Sequence, residues 1–173
     1  MVKPILVFGY GNLSRGDDAL GPLLLDHVEK NIVLPNIELL TDFQLQIEHA
    51  LDLENRQLVL FVDASVAGER AFAFTALKAE QDKSYTTHAM SPAAVLAVFQ
   101  SIKPQLPPPC FLLSIKGASF ELGEPLSEIA KQHLHQACQF VTDLLTHPDP
   151  DYWRQQSSKL MNSLAQHSSE TYA

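Results

Sequence analysis

The sequence predicts an α/β fold: a single-domain, three-layer sandwich in which a mostly parallel, twisted sheet carries helices on both faces. The chain has 173 residues, 46% of them hydrophobic, which suits one domain with one substantial core. Its main apolar runs are continuous rather than alternating, as is typical of parallel strands that are covered on both faces. Helical patterns separate these runs, and this alternation of strands with helices indicates an open α/β sheet.

Each element follows from a local signal. The apolar run Ile5–Phe8 predicts a first strand that ends at the glycines of residues 9–11. The next helix is expected to begin near residues 18–21, because Pro22 is tolerated only in a first turn. The remaining elements are expected in this order: strand 37–40, short helix 46–53, strand 58–62, strand 71–77, helix 92–99, strand 111–115 and a long helix after Ser127.

Strand pairing, helix caps and the domain boundary can also be predicted. A short turn that contains glycine precedes residues 71–77, so we expect this strand to run antiparallel to the strand before it. Ser91 and Ser127 are expected to cap the helices that follow them. We place the domain at residues 1–147 and expect a polar C-terminal tail at 148–173, with a short helix and a frayed end as the two alternatives.

The composition argues against several classes of protein. Lysine and arginine total 12 against 20 acidic residues, and the resulting formal charge of −8 would repel a nucleic-acid backbone. No apolar run approaches the roughly 20 residues of a membrane-spanning helix, and the N-terminus lacks a secretory signal pattern. Cys110 and Cys138 are too few for a disulfide framework and are expected in the core. We therefore expect a cytoplasmic protein that binds neither nucleic acid nor a membrane.

Three residues of metal-ligand type are expected at the carboxyl ends of the strands, where open α/β sheets bind their ligands. They are Asp18 after the first strand, Asp63 after the strand at 58–62, and His88 shortly before a helix. Two carboxylates and an imidazole would suit a borderline divalent cation. Each also has a structural explanation: Asp18 can stabilise a helix N-terminus, Asp63 can cap a turn and His88 can be an ordinary histidine.

The glycines after the first strand also suit a dinucleotide-binding protein, but the fingerprint is incomplete. Ser14 stands where a third glycine would be expected, and the pair Asp17-Asp18 would oppose a pyrophosphate at the helix N-terminus. A dinucleotide site is therefore disfavoured. The sequence also lacks the G-x-S-x-G elbow of a serine hydrolase.

The same residues resemble the motifs of the hydrogenase maturation endopeptidases, which process the C-terminus of the large subunit of nickel-iron hydrogenases. The segments ILVFGYGN at 5–12 and GDDALGP at 16–22 resemble the N-terminal signature of this family. LFVDA at 60–64 is similar to the second motif, and His88 stands where the third, histidine-bearing motif falls. The resemblance covers roughly residues 4–145 and implies a fold of the phosphorylase/hydrolase-like type.

The resemblance implies a nickel-dependent endopeptidase of the aspartate or metallo type. In the family, an acid of the first motif, the aspartate of the second motif and the histidine bind nickel, and these positions here are Asp18, Asp63 and His88. The same three residues are implied to be catalytic. The implied partner is the precursor of a hydrogenase large subunit, and the nickel is implied to be the ion already loaded in that substrate.

Two segments depart from the commoner family pattern. The chain reads DFQLQ at 42–46 and HAMSP at 88–92, and both variants resemble the branch that serves cytoplasmic, NAD(P)-coupled bidirectional hydrogenases. Asn12, Asp42 and Gln44 are candidate substrate contacts. Two other classes of function remain as hypotheses: a non-catalytic nickel chaperone or sensor that uses the same three ligands, and a dinucleotide-binding protein.

Overall fold

The computed structural model describes residues 1–33, 35–81 and 90–170, with side chains of the last helix described as far as Ser163. Within these residues the chain forms five strands, four α-helices and two 3-10 segments. In chain order they are β1 (Ile5–Tyr10), a 3-10 turn (Gly16–Ala19), α1 (Leu20–Asn31), β2 (Ile37–Asp42), a 3-10 helix (Ile47–Leu53), β3 (Leu58–Ser65), β4 (Phe72–Ala76), α2 (Pro92–Ile102), β5 (Cys110–Lys116), α3 (Glu128–Thr146) and α4 (Pro150–Glu170).

The strands form one sheet in the order β2-β1-β3-β5-β4. The first four of these strands run parallel, while β4 lies antiparallel at one edge. The expected antiparallel strand is present, but its predicted neighbour is wrong, since β4 pairs with β5 and not with β3. The reason is that β1 and β5 occupy the two edges of β3, and β3 therefore has no free edge for a hairpin partner.

Two apolar cores cover the two faces of the sheet. On one face, α1, α3 and α4 pack on the side chains of the central strands; on the other, the 3-10 helix and α2 pack on the alternate side chains. Successive residues of a strand point to opposite faces, so a continuously apolar strand such as β1 contributes to both cores. The expectation of a three-layer α/β sandwich is confirmed.

Serines begin two of the helices, as predicted. The Ser91 Oγ accepts a hydrogen bond from the N–H of Ala94 at 3.1 Å, and the Ser127 Oγ accepts one from the N–H of Ala130 at 3.2 Å. Cys110 and Cys138 are both free and buried, as expected. Among the helices described, none is long and apolar enough to cross a membrane.

The segment after His147 contains the 21-residue helix α4, which is longer than the short helix considered from the sequence. Trp153 in its first turn is fully buried and packs edge-on against Phe74 and Phe111 of the sheet. Its indole Nε1 donates to the carbonyl of Leu144 at 2.9 Å. One large aromatic side chain therefore attaches an otherwise polar segment to the core.

Candidate active site at the switch point of the sheet

The sheet changes its winding direction between β1 and β3. From β1 the chain crosses to β2 on one side, and from β2 it returns past β1 to β3 on the other side. In doubly wound sheets the crevice outside the carboxyl ends of two such strands is the usual ligand site. The residues at this point are Tyr10 at the end of β1 and Asp63 near the end of β3.

Asp63 is a half-buried carboxylate with few hydrogen-bond donors around it. Burial, with a smaller contribution from the negative charge of the nearby Asp18, raises its pKa to about 6. The hydroxyl of Tyr10 and the backbone N–H of Ala64 act in the opposite direction and only partly offset the burial. The ionised form of Asp63 is thus costly in the free protein, and a cation beside it would reduce that cost.

Asp18 comes to this position through the 3-10 turn that precedes α1. Its Oδ2 accepts a hydrogen bond from the backbone N–H of Asn12 at 2.7 Å. Within the described residues, its second oxygen has no hydrogen-bond donor. The turn lies directly against Gly11, where φ is 147° and a Cβ atom would fall 2.0 Å from the Asp18 carbonyl oxygen. Glycine at this position therefore lets the end of β1 and the Asp18 turn approach each other.

Asp17 does not share the role of its neighbour. Its side chain is fully buried, and its carboxylate accepts hydrogen bonds from the N–H groups of Ala118, Ser119 and Ser127 and from the Ser127 hydroxyl. These four donors hold the pKa of Asp17 below its usual value although burial acts against them. Both acids lie in the turn directly before α1, as expected, but the Asp17 carboxylate anchors the loop between β5 and α3 and does not face the cleft with Asp18.

Tyr10 is a residue of the site that sequence reasoning missed. Its hydroxyl is buried and faces the Asp63 carboxylate, yet it makes no hydrogen bond of regular geometry to any described residue. Burial raises the pKa of Tyr10, and the charge of Asp63 raises it further. In the sequence Tyr10 lies between two glycines just beyond the predicted end of the first strand, and nothing in that position indicates a polar role.

Asp42 ends β2 directly beside Tyr10 in the sheet register and lines a cavity of about 270 Å³. The Nε2 of His49 lies 3.2 Å from its Oδ2, while the Nδ1 of His49 accepts the N–H of Gln46 at 2.8 Å. Since Nδ1 is an acceptor, Nε2 carries the proton and donates to Asp42. His49 was given no role from the sequence, although its position three residues after Gln46 matches the spacing of a capping box.

The remaining candidate residues are placed as follows. Asn12 is half-buried, and its Oδ1 accepts the N–H of Ser14 at 2.8 Å. Gln44 is exposed in the loop after β2. His88 lies outside the described residues. Within the ranges 1–33, 35–81 and 90–170, no three histidine, cysteine or acidic side chains gather into a metal-binding group.

Comparison with protein-family models and with curated protein sequences finds no match. Solved structures do match. The hydrogenase maturating endopeptidase HybD from E. coli is 23% identical, with a TM-score of 0.66, and the [NiFe] hydrogenase maturation protease HycI from Thermococcus kodakarensis KOD1 is 22% identical, with a TM-score of 0.63. The solution structure of an endopeptidase from Escherichia coli is 22% identical, with a TM-score of 0.68.

These matches extend over most of this chain and nearly all of each other protein. Each of the three covers 83% of this chain and 93% of the other protein. At this level of sequence identity, the likeness shows a shared fold, and function has to be argued from the residues at the switch point.

Proposed function

We propose that this chain is an endopeptidase of the hydrogenase maturation family, which removes a short C-terminal peptide from the nickel-loaded precursor of a [NiFe] hydrogenase large subunit. The observation that carries the proposal is the proximity of Asp18 and Asp63 at the switch point, where the charge of one raises the pKa of the other. The solved structures with this fold that are named as hydrogenase maturation proteases support the same activity. The motifs at 5–22 and 60–64 resemble those of that family.

The chemistry of the donor set suits a transition metal that arrives with the substrate. Two carboxylates offer oxygen ligands, and the resemblance adds the imidazole of His88 as a nitrogen ligand. In this proposal the nickel of the precursor binds among Asp18, Asp63 and His88, so only a loaded precursor is held in the cleft. The metal would thereby distinguish a precursor whose metal centre is already assembled from one whose centre is not.

The protein's own groups can move the protons that hydrolysis requires. A carboxylate oxygen that does not contact the metal can accept a proton from the attacking water and return it to the leaving amine nitrogen. We assign this proton transfer to Asp63. Asp18, held by the Asn12 N–H, supplies a fixed negative charge beside it. The hydroxide adds to the scissile carbonyl carbon, the C–N bond breaks, and the released peptide leaves with a neutral amine.

The finer assignments belong to the same proposal. The variant segments at 42–46 and 88–92 favour a cytoplasmic, NAD(P)-coupled bidirectional hydrogenase as the source of the precursor. Asn12, Asp42 and Gln44 remain candidate substrate contacts.

The direct test is to incubate the protein with nickel-loaded and nickel-free precursor of the cognate large subunit and to measure intact masses. We expect a C-terminal peptide to be lost from the loaded form alone. Asp18→Asn, Asp63→Asn and His88→Ala should abolish the cleavage while the proteins stay folded. Asp26→Asn, which changes an exposed acid on α1, is the matched control and should cleave normally.

The alternative functions give different results in this test. Nickel binding without any shortening of the loaded precursor would contradict the proposal and favour a chaperone or sensor. Stabilisation by NAD or FAD in a thermal-shift assay would favour the dinucleotide hypothesis.

A further inference from the structure

A second cavity lies at the carboxyl edge of the sheet, on the side of Asp63 away from β1. It has a volume of about 400 Å³ and is bounded by the ends of β3 and β5, the loop that leads to β4 and the start of β4. Two basic side chains, Lys116 and Arg70, line it together with Ser65 and Ser114. None of the described residues assigned to the candidate active site lines this second cavity.

The sheet register makes this cavity continuous with Asp63. Ser114 is the partner of Asp63 across the β3–β5 pairing, and Lys116 is the partner of Ser65. Partner residues on neighbouring strands project from the same face of a sheet, about 4.8 Å apart. The Cα atoms of Lys116 and Asp63 are therefore about 8 Å apart, close enough for one extended peptide, at about 3.3 Å a residue, to reach both side chains.

Both basic groups bond to neutral partners. The Nζ of Lys116 donates to the carbonyl of Gly68 at 2.6 Å, and the Nη2 of Arg70 donates to the Ser163 Oγ at 2.8 Å. Glu69 also lines the cavity, but among the described residues neither Lys116 nor Arg70 forms an ion pair with a carboxylate. Among the described residues the cavity therefore holds two cations and one acid that pairs with neither of them, and this excess of positive charge in a chain of net charge −8 indicates a site for an anion.

The two ends of the carboxyl edge carry opposite charge. Asp42 lies on the β2 side of the switch point and lines the first cavity, whereas Lys116 and Arg70 lie on the β5 side. A peptide that crosses Asp63 along this edge therefore meets Asp42 at one end and, at the other, a cavity with two cations and one acid, Glu69. The cationic end suits the side of the substrate that carries more negative charge, and the acidic end opposes it.

From this geometry we propose that Lys116 and Arg70 bind a carboxylate on the leaving side of the scissile bond, a few residues beyond it. The carboxylate can be an acidic side chain or the chain end of the peptide that is removed. This inference rests on the proposed function, because it assigns a direction to the peptide in the same cleft. It makes Lys116 and Arg70 specificity residues and assigns them no part in the chemical step.

The test compares peptide binding with cleavage. A fluorescent peptide with the sequence that follows the cut is titrated with wild-type protein and with Lys116→Gln and Arg70→Gln, and anisotropy gives Kd. We expect each variant to bind about tenfold more weakly, and Lys116→Arg to bind like the wild type, since a charge-assisted hydrogen bond is lost only in the first two. Ser163→Ala, which removes the neutral partner of Arg70 but keeps its charge, should leave Kd unchanged.

Changes in the peptide identify the source of the carboxylate. Two modified peptides are compared, one with its acidic side chains replaced by amides and one with an amidated C-terminus. The modification that weakens binding to the wild-type protein identifies which carboxylate is bound. Against that peptide, Lys116→Gln should cause no further loss. With the loaded precursor, Lys116→Gln and Arg70→Gln should raise KM and leave kcat within about twofold.

The outcomes separate this inference from the proposed function. Folded Lys116→Gln and Arg70→Gln proteins that bind the peptide with the wild-type Kd would overturn the inference, even if the precursor is cleaved. Binding that depends on both cations in a protein that never cleaves loaded precursor would support the anion site and refute the peptidase. If Lys116→Gln fails to fold because the contact with Gly68 is lost, Arg70→Gln with its Ser163→Ala control decides the matter.

Discussion

The carboxylate of Asp17 accepts both the backbone N–H and the hydroxyl of Ser127, a residue 110 positions further along the chain, at 2.7 and 2.6 Å. The same Ser127 oxygen accepts the N–H of Ala130 and so begins α3. One buried acid thereby connects the turn that carries Asp18 with the loop after β5 and with the start of a core helix.

We therefore expect Asp17→Ala to destabilise the protein far more than its position beside Asp18 suggests. The variant leaves four buried or half-buried donors without their acceptor, and the loss should be about 3 kcal/mol or more of unfolding free energy. Urea unfolding followed by circular dichroism measures it. The exposed Asp26→Ala should lose less than about 0.5 kcal/mol. Equal stability of the two variants would contradict the anchoring role.

A second prediction concerns Gly11. Gly11→Ala should destabilise the chain and abolish processing, because the new Cβ would collide with the Asp18 carbonyl and move that acid. Gly123→Ala is the matched control, since Gly123 also has a positive φ but no atom within 4 Å of the added carbon. The free energy of unfolding of Gly123→Ala should fall by about 1 kcal/mol, and this variant should still process the precursor. Activity in Gly11→Ala comparable with the control would show that the contact does not position Asp18.

Asp63 should lower the stability of the free protein at neutral pH. Its pKa is raised to about 6 in the folded state, so between this value and the unfolded value of 3.8 the folded chain binds the proton more tightly. Unfolding free energy should therefore increase as the pH falls from 7 toward 4, by about 1–2 kcal/mol after allowance for partial exposure. In chelator-treated samples, Asp63→Asn should remove this increment and be inactive. Identical pH profiles for the variant and the wild type would refute the prediction.

Tyr10→Phe should leave the protein at least as stable as the wild type at pH 4, where Asp63 is protonated. The variant keeps the buried ring and removes a hydroxyl that has no regular partner among the described residues, so a gain of up to about 1 kcal/mol is expected at that pH. At pH 7 the gain should be smaller, because the same hydroxyl favours the ionised form of Asp63. Tyr152→Phe provides the comparison, because its hydroxyl donates to Asp143 and should cost rather than gain stability. A clear loss of stability in Tyr10→Phe would mean that the Tyr10 hydroxyl has a partner that stabilises the fold.

The first turns of α4 should behave as part of the domain. Trp153→Ala leaves a large cavity beside Phe74 and removes the buried indole N–H donor. We therefore expect the free energy of unfolding to fall by about 3–5 kcal/mol. Met161→Ala, in the same helix but exposed, should change stability by less than about 0.5 kcal/mol. Thermal and urea unfolding of the two variants measure the difference. A small effect at Trp153 would support a domain that ends at residue 147.

Local patterns were sufficient for most elements because each signal acts within a few residues. Continuous apolar runs predicted β1 and β3, Pro22 located the start of α1, and Ser91 and Ser127 were correctly predicted as caps. The neighbour of β4 could not be predicted in this way. Strand pairing depends on which edges are already occupied, and the strand that takes the second edge of β3 lies 45 or more residues later in the chain.

The candidate site, too, could be predicted only in those features that follow from local patterns. The carboxyl ends of parallel strands meet at one edge, so the sequence alone could place Asp18 and Asp63 there, and the family resemblance selected the same acids together with His88. No local signal in the sequence indicated that the side chains of Asp17 and Asp18 would have different roles. Adjacent residues in a turn point in different directions, and only the approach of the loop after β5 decides which carboxylate becomes buried.

What the sequence determined by itself is therefore the layered fold, the starts of α1, α2 and α3 and the edge where the acids gather, because periodicity, prolines and capping residues act over short distances. The tertiary structure decided the burial of Asp17, the hydroxyl of Tyr10 against Asp63, the contact of His49 with Asp42 and the cationic cavity of Lys116 and Arg70. These features join residues from separate strands and loops, and their chemistry depends on burial and distance, which exist only once the sheet has formed.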